Sequence, residues 1–150
     1  MDAAIHRQIL DLLSEHRTMT IATMRSDGWP QATTVGYAND ELTLYFLCGL
    51  DSQKATNLAR DDRVSLTIDH DTSQVMKIKG LSMAAHAARV TGPAEAQKAK
   101  NMLLARYTEQ QDFPLPIPSI DDVAFFRVKP VVISLLDYTK GFGHTDLITC

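Results

Sequence analysis

Apolar residues recur along this chain at two different spacings. Between Ala3 and His16 the residues Ile5, Ile9, Leu12 and Leu13 fall on one helical face, with Arg7, Asp11 and Glu15 on the other, which predicts an amphipathic opening helix. From Thr18 to Met24 β-branched and apolar residues mix, and the run stops at Ser26-Asp27-Gly28 and Trp29-Pro30. This reads as a strand followed by a turn. Gln31 to Tyr37 makes a second strand. Beyond Asn39-Asp40, Leu42, Leu44 and Phe46 alternate with Thr43, Tyr45 and Leu47, so a third antiparallel strand is expected.

The period changes at Asp51-Ser52, where Ala55, Leu58 and Ala59 return to helical spacing until Asp61-Asp62. Val64, Leu66 and Ile68 then alternate with polar neighbours, predicting a strand with one buried face that ends in the polar stretch His70 to Gln74. A longer strand is expected over Met76 to Thr91, although its Ala84 to Ala88 centre has weak strand propensity and periodicity alone does not exclude a helix there. Gly92-Pro93 precedes a helical stripe of Ala96, Ala99, Met102, Leu103 and Tyr107. Three prolines between Phe113 and Ser119 predict an irregular connector able to cover a ligand. Val123–Val128 and Val131–Leu136 read as two strands split by Lys129-Pro130, and the chain then runs into Lys140-Gly141-Phe142-Gly143-His144. The whole, residues 1–150, is expected to be one mainly β domain with peripheral helices, a small closed or partly closed antiparallel barrel.

Composition narrows the function more than the fold. A net charge of −3 and no basic run give no electrostatic attraction for nucleic acid. The first residues lack the apolar core of a signal peptide, and no apolar run approaches the length that spans a membrane. Only Cys48 and Cys150 are present, so a disulfide framework is not expected and a reducing cytoplasm suits the chain. Asp69-His70-Asp71 lacks a second ligand cluster at metal-site spacing and reads as a solvated turn; no metal is expected. His86 is expected to be packed or hydrogen-bonded, and Trp29 and Tyr37 to be core or interface aromatics.

The most informative segment is Leu47-Cys48-Gly49-Leu50-Asp51-Ser52-Gln53-Lys54. There a strand hands over to a helix, whose first N–H groups and partial positive charge suit an anion. Ser52 adds a hydroxyl and Lys54 an ammonium. The same residues also fit an ordinary capped helix with a solvated lysine.

A longer register raises the weight of the anion-site reading. The opening helix, Thr18-Met19-Thr20-Ile21-Ala22-Thr23, the turn Asp27-Gly28-Trp29-Pro30, the strand through Thr33-Thr34-Val35-Gly36-Tyr37 and then Leu42-Thr43-Leu44-Tyr45-Phe46 come in a specific order. Ser52-Gln53-Lys54-Ala55-Thr56-Asn57-Leu58 and Asp62-Arg63-Val64-Ser65-Leu66-Thr67 follow. This order resembles the pyridoxamine 5'-phosphate oxidase-like split barrels, well over about residues 3–92 and loosely beyond.

The resemblance implies an FMN-binding split barrel, a six- to seven-stranded antiparallel Greek-key barrel with about three helices. It also implies a homodimer that holds flavin mononucleotide (FMN) at its interface. Carried over residue by residue, Thr33, Thr34 and Val35 would line the ring and ribityl chain, Leu47 and Cys48 would flank it, and Ser52, Gln53 and Lys54 would meet the phosphate. Gln53 stands where many relatives carry arginine, and neither Gln31 nor Ala32 supplies the family's other phosphate-binding arginine. This departure points to a general stress protein-like member and not to a true pyridoxamine phosphate oxidase. Lys140 and Phe142, in a glycine-flanked loop, are expected either to reach the flavin of the partner subunit or to form a loose tail.

The resulting expectation is an FMN-dependent oxidoreductase that passes electrons to a small molecule, with no identified catalytic residue. A flavin or haem binder in a stress response is the rival from another class, and a reductase using the deazaflavin cofactor F420 is a further alternative.

Overall fold

Asp2 starts the first helix by accepting the backbone N–H groups of Ala4 and Ile5 on its carboxylate, at 2.7 and 3.3 Å. In a computed structural model that describes residues 1–107 and 119–150, eleven elements follow from this cap. They are α1 (Ala3–Glu15), β1 (Thr18–Met24), β2 (Pro30–Gly36), β3 (Ala38–Asp40), β4 (Thr43–Gly49), α2 (Gln53–Arg60), β5 (Arg63–Asp69), β6 (Lys79–Arg89), α3 (Pro93–Arg106), β7 (Val123–Asp137) and β8 (Thr145–Thr149). The expected connector from Phe113 lies, up to residue 118, outside the described residues.

All strand pairings are antiparallel, and the sheet order is β2-β1-β5-β6-β7-β4-β3, with β8 added beside β7. Seven strands therefore lie on the main path. The two edges of this path, β2 and β3, are consecutive in the chain and separated only by Tyr37. One continuous stretch of backbone thus spans from edge to edge and curls the sheet into a split barrel.

Alternation along the strands fills the barrel. Met19 and Ile21, Leu44 and Phe46, Leu66 and Ile68, Leu81 and Met83, and Ile133 and Leu135 all point inward, joined by Ile9 and Leu13 of α1. Phe46 and Phe126 stack across the β4–β7 pair with ring centroids 5.3 Å apart. The opposite face of β4 is also covered: Tyr45 joins Ala99 and Leu103 of α3, with Val123 and Phe125 of β7, in a second cluster. That double burial explains why β4 reads as a nearly unbroken apolar run.

Ala84 to Ala88 is strand, as expected in spite of its weak propensity: β7 pairs with the whole segment and β5 with Ala84 to His86. The structure corrects several other expectations. The strand begins at Lys79, after a 3-10 turn at Val75–Lys77, and not at Met76. Lys129-Pro130 does not divide two strands; β7 runs unbroken from Val123 to Asp137. The ladder to β4 ends at Val128 and the ladder to β8 begins at Val132, so the missing N–H of Pro130 falls in the gap between them. A bulge beside it takes up the extra residue Val131. Trp29 is not a core residue: it is 73% exposed in the β1–β2 turn, whereas Tyr37 is wholly buried. The segment after His144 forms β8, a strand that the polar pattern did not reveal.

Candidate functional site

Between β4 and β5 the chain builds a small polar corner against β1 and β2. Gly49 ends β4 with no neighbouring atom where a side chain would stand, and Ser52 then caps α2. The Ser52 Oγ accepts the Ala55 N–H at 3.1 Å, while the Ser52 N–H donates to the Gly49 carbonyl at 3.1 Å. Capping uses a lone pair and leaves the hydroxyl proton free to donate. The first N–H groups of α2, on Gln53 and Lys54, have no partner within their own helix by construction. Cap and anion site are therefore compatible in Ser52.

Behind this cap lies a residue that periodicity did not single out. Asn57 sits on the apolar stripe of α2 between Ala55 and Leu58 and is completely buried. Its amide nitrogen donates to Thr23 Oγ1 of β1 at 3.0 Å and to Gln31 Oε1 of β2 at 3.4 Å, and its Oδ1 accepts from Gln53 Nε2 at 2.8 Å. A buried amide needs such partners to offset its desolvation. The available signal was an asparagine on the buried face of a short helix.

Register sorts the other expected residues. Gln31, Thr33 and Val35 pair with Thr23, Ile21 and Met19 and so share their inward face, whereas Thr34 pairs with Thr20 and is exposed on the outer face. Thr33 Oγ1 is buried and, among the described residues, has no hydrogen-bond partner. Val35 and Cys48 pack on the barrel core, but Leu47 turns to the second cluster beneath α3. The structure thus brings Thr33 and Val35 onto one side of β2 and Ser52, Gln53 and Lys54 onto the start of α2, and points Thr34 and Leu47 elsewhere.

Lys140 and Phe142 follow the opposite end of β7 from the one that meets Gly49. Val123, the first residue of β7, pairs with Gly49, and the strand ends at Asp137 just before Lys140. Fourteen residue steps of strand amount to about 45 Å of path. Gly141 and Gly143 adopt φ of 141° and 75°, which hold Phe142 out in solvent at 77% exposure, edge-on to Tyr138 at 5.6 Å. Beside them the buried Asp137 carboxyl accepts from Thr139 and faces Lys79 at 3.9 Å. The hydrogen bond from the Thr139 side chain, then that from its backbone and the charge of Lys79, hold this carboxyl below its usual range against the opposing effect of burial.

The outer face of β1, β5 and β6 is different in character. Small side chains at Ala22, Ser65 and Ala84 leave a groove of about 520 Å³, edged by Pro30, Arg63 and His86. His86 Nδ1 lies 3.0 Å from Asp62, at the rim. His70 of the Asp69–Asp71 turn meets His16 Nε2 at 2.9 Å. Among the described residues no three His, Cys, Asp or Glu side chains converge as a metal site, and no helix is long and apolar enough to cross a membrane.

Residues 5–137 match the family described as pyridoxamine 5'-phosphate oxidase. Among solved structures, a conserved hypothetical protein of Mycobacterium tuberculosis is 27% identical, with a TM-score of 0.77 over 97% of this chain and 91% of that one. The haem storage protein HutZ of Vibrio cholerae is 20% identical, with a TM-score of 0.67 over 95% and 92% of the two chains. A haem-binding protein of Mycobacterium smegmatis is 20% identical, with a TM-score of 0.73 over 96% of this chain and 56% of that protein. The two haem-related likenesses speak to the fold. No curated protein matches the chain.

Proposed function

This chain belongs to the pyridoxamine 5'-phosphate oxidase family, and from that premise we propose that it binds flavin mononucleotide in the corner between β2 and α2 and passes electrons between the flavin and a small molecule. The observation that carries the reading is the buried hydroxyl of Thr33, which has no partner among the described residues. A polar atom stripped of water without a partner costs about 1–3 kcal/mol, and a polar ligand on that face of β2 would remove the cost. The free hydroxyl proton of Ser52, the helix-start N–H groups and the Lys54 ammonium would receive the phosphate. FMN, when bound, supplies the electron-transfer chemistry. This chain's part is to hold its phosphate, exclude water from its inner side and set its surroundings.

The site is expected to need a second copy of the chain. Lys140 and Phe142 follow the end of β7 opposite to the one that pairs with Gly49, so a partner's loop is our proposed route by which they reach the flavin. The outer face with its small side chains, flanked by exposed Trp29 and Val131, is the surface we assign to a homodimer in the cytoplasm. No acid–base residue is required for this role.

A second reading, haem binding or storage without turnover, draws on the haem-related names of two structural relatives. One experiment separates the readings: the purified protein is denatured and the absorption spectrum and mass of the released ligand are recorded. Release of FMN, or tight uptake of added FMN by the colourless protein, is the expected result. A haem spectrum supports the second reading, and a protein that neither carries nor takes up FMN overturns the first.

A further inference from the structure

Three amides and one hydroxyl form a single chain through this corner. Gln53 Nε2 donates to Asn57 Oδ1, and Asn57 Nδ2 donates in turn to Thr23 Oγ1 and Gln31 Oε1. Both amide protons of Asn57 are thereby committed, one to each strand. The direction of the chain has a consequence at its far end. Gln31 uses its oxygen toward Asn57, so its NH2 group, with two donors, is the part left for another partner. Two residues along the same face of β2 stands the unpartnered Thr33 hydroxyl, roughly 7 Å away.

We infer that Asn57 is a positioning residue that fixes the Gln31 amide with its donor end free, so that Gln31 and Thr33 together offer neutral hydrogen-bond donors to the phosphate-bearing end of the ligand. This rests on the flavin reading above and deepens it. Gln31 and Gln53 are uncharged, and both converge on one completely buried residue. The arrangement therefore replaces part of a cationic clamp by an oriented amide relay, in which selectivity for a phosphate depends on donor direction as well as on charge. An amide held the other way would present its carbonyl oxygen and repel the same phosphate.

The test compares equilibrium binding of FMN and riboflavin, which share the ring and ribityl chain and differ in the phosphate. Gln31→Met removes the donor at a half-exposed position and keeps the fold. Asn57→Leu keeps the γ-branched shape of the side chain on a buried helical stripe but removes its polar atoms and releases Gln31. Each is expected to lower the ratio of FMN to riboflavin affinity roughly fivefold or more, the scale of one neutral hydrogen bond, and the double variant is expected to lower it no further, because both act through one group. A merely structural role for Asn57 would weaken both flavins equally. Parent binding of FMN over riboflavin with the ratio unchanged in both single variants, or with fully additive losses, overturns the relay alone. Parent protein that binds neither flavin overturns the flavin reading and the relay with it.

Discussion

The Tyr37 hydroxyl donates to the Leu13 carbonyl across 2.7 Å, tying the one residue that links the two sheet edges to the last turn of α1. Arg106 reaches the same carbonyl at 2.8 Å, also donates to the His16 carbonyl, and lies over the Tyr37 ring at 5.2 Å. Orphan carbonyls at the end of α1 are thus satisfied by a tyrosine and by the end of α3. Because Arg106 still serves Leu13 when the hydroxyl is gone, Tyr37→Phe is expected to cost only about 0.5–1.5 kcal/mol in a urea titration. Arg106→Ala strands the His16 carbonyl and also removes the bond to Asn39 and the cation over the Tyr37 ring, so it is expected to cost more, about 2–3 kcal/mol. The reverse order would refute this account of the closure.

Gly80 lies in β6 opposite Asp69, and a Cβ there would stand 2.7 Å from the Ile68 carbonyl oxygen and 2.9 Å from Asp69 Cβ. The nearest obstacle is backbone, so the β5–β6 ladder itself must move. Gly80→Ala is expected to destabilise by about 1–3 kcal/mol, whereas Gly49→Ala, with open space around it, should stay within about 0.5 kcal/mol. Matched denaturation curves of the two variants check the contrast.

Asp137 makes the stability depend on pH with a definite sign. Its folded pKa is depressed, chiefly by the hydrogen bond from Thr139, below the unfolded value of about 3.9. Such a group contributes its full stabilisation above the unfolded pKa and loses it as pH falls through the folded one. Asp137→Asn should therefore be less stable than the parent at neutral pH, with the difference shrinking once the medium is more acidic than the ordinary carboxylate range. A constant difference across that window would remove the carboxylate from the explanation.

Lys54→Ala is expected to weaken FMN binding by roughly 1.5–3 kcal/mol, about 10- to 150-fold, as for one lost charge-assisted hydrogen bond. Lys140→Ala is expected to lower flavin affinity or its reduction potential; no change in either would dismiss Lys140. If the two lysines serve one site from different copies, mixing the two variant proteins should restore one full site in each mixed dimer. With equal amounts and free re-pairing half of the dimers are mixed, so titration would show tight binding at about a quarter of all sites, which neither variant shows by itself.

Much of this molecule was legible in the order of its residues. Alternation at Leu42 to Leu47 and at Val64 to Ile68, and helical spacing at Ile5 to Leu13, located elements because burial on one face repeats with the period of the backbone. The cap at Ser52 was legible for the same local reason. The strand through Ala84 to Ala88 was legible as a strand, though its propensity alone left helix open until the flanking strands decided it; the continuity across Lys129-Pro130 was not legible, since the gap between two ladders accommodates the proline.

What the sequence determined by itself, then, was most of the elements, though neither β8 nor the continuity of β7, and the local chemistry of the strand-to-helix loop, both written within a few residues of each other. Only the tertiary structure decided which side chains meet. It turned Thr33 inward and Thr34 outward, joined Asn57 to Thr23 and Gln31, and set Lys140 at the far end of β7. The physical reason is that strand register and the curl of the sheet bring together residues tens of positions apart, and no local periodicity carries that information.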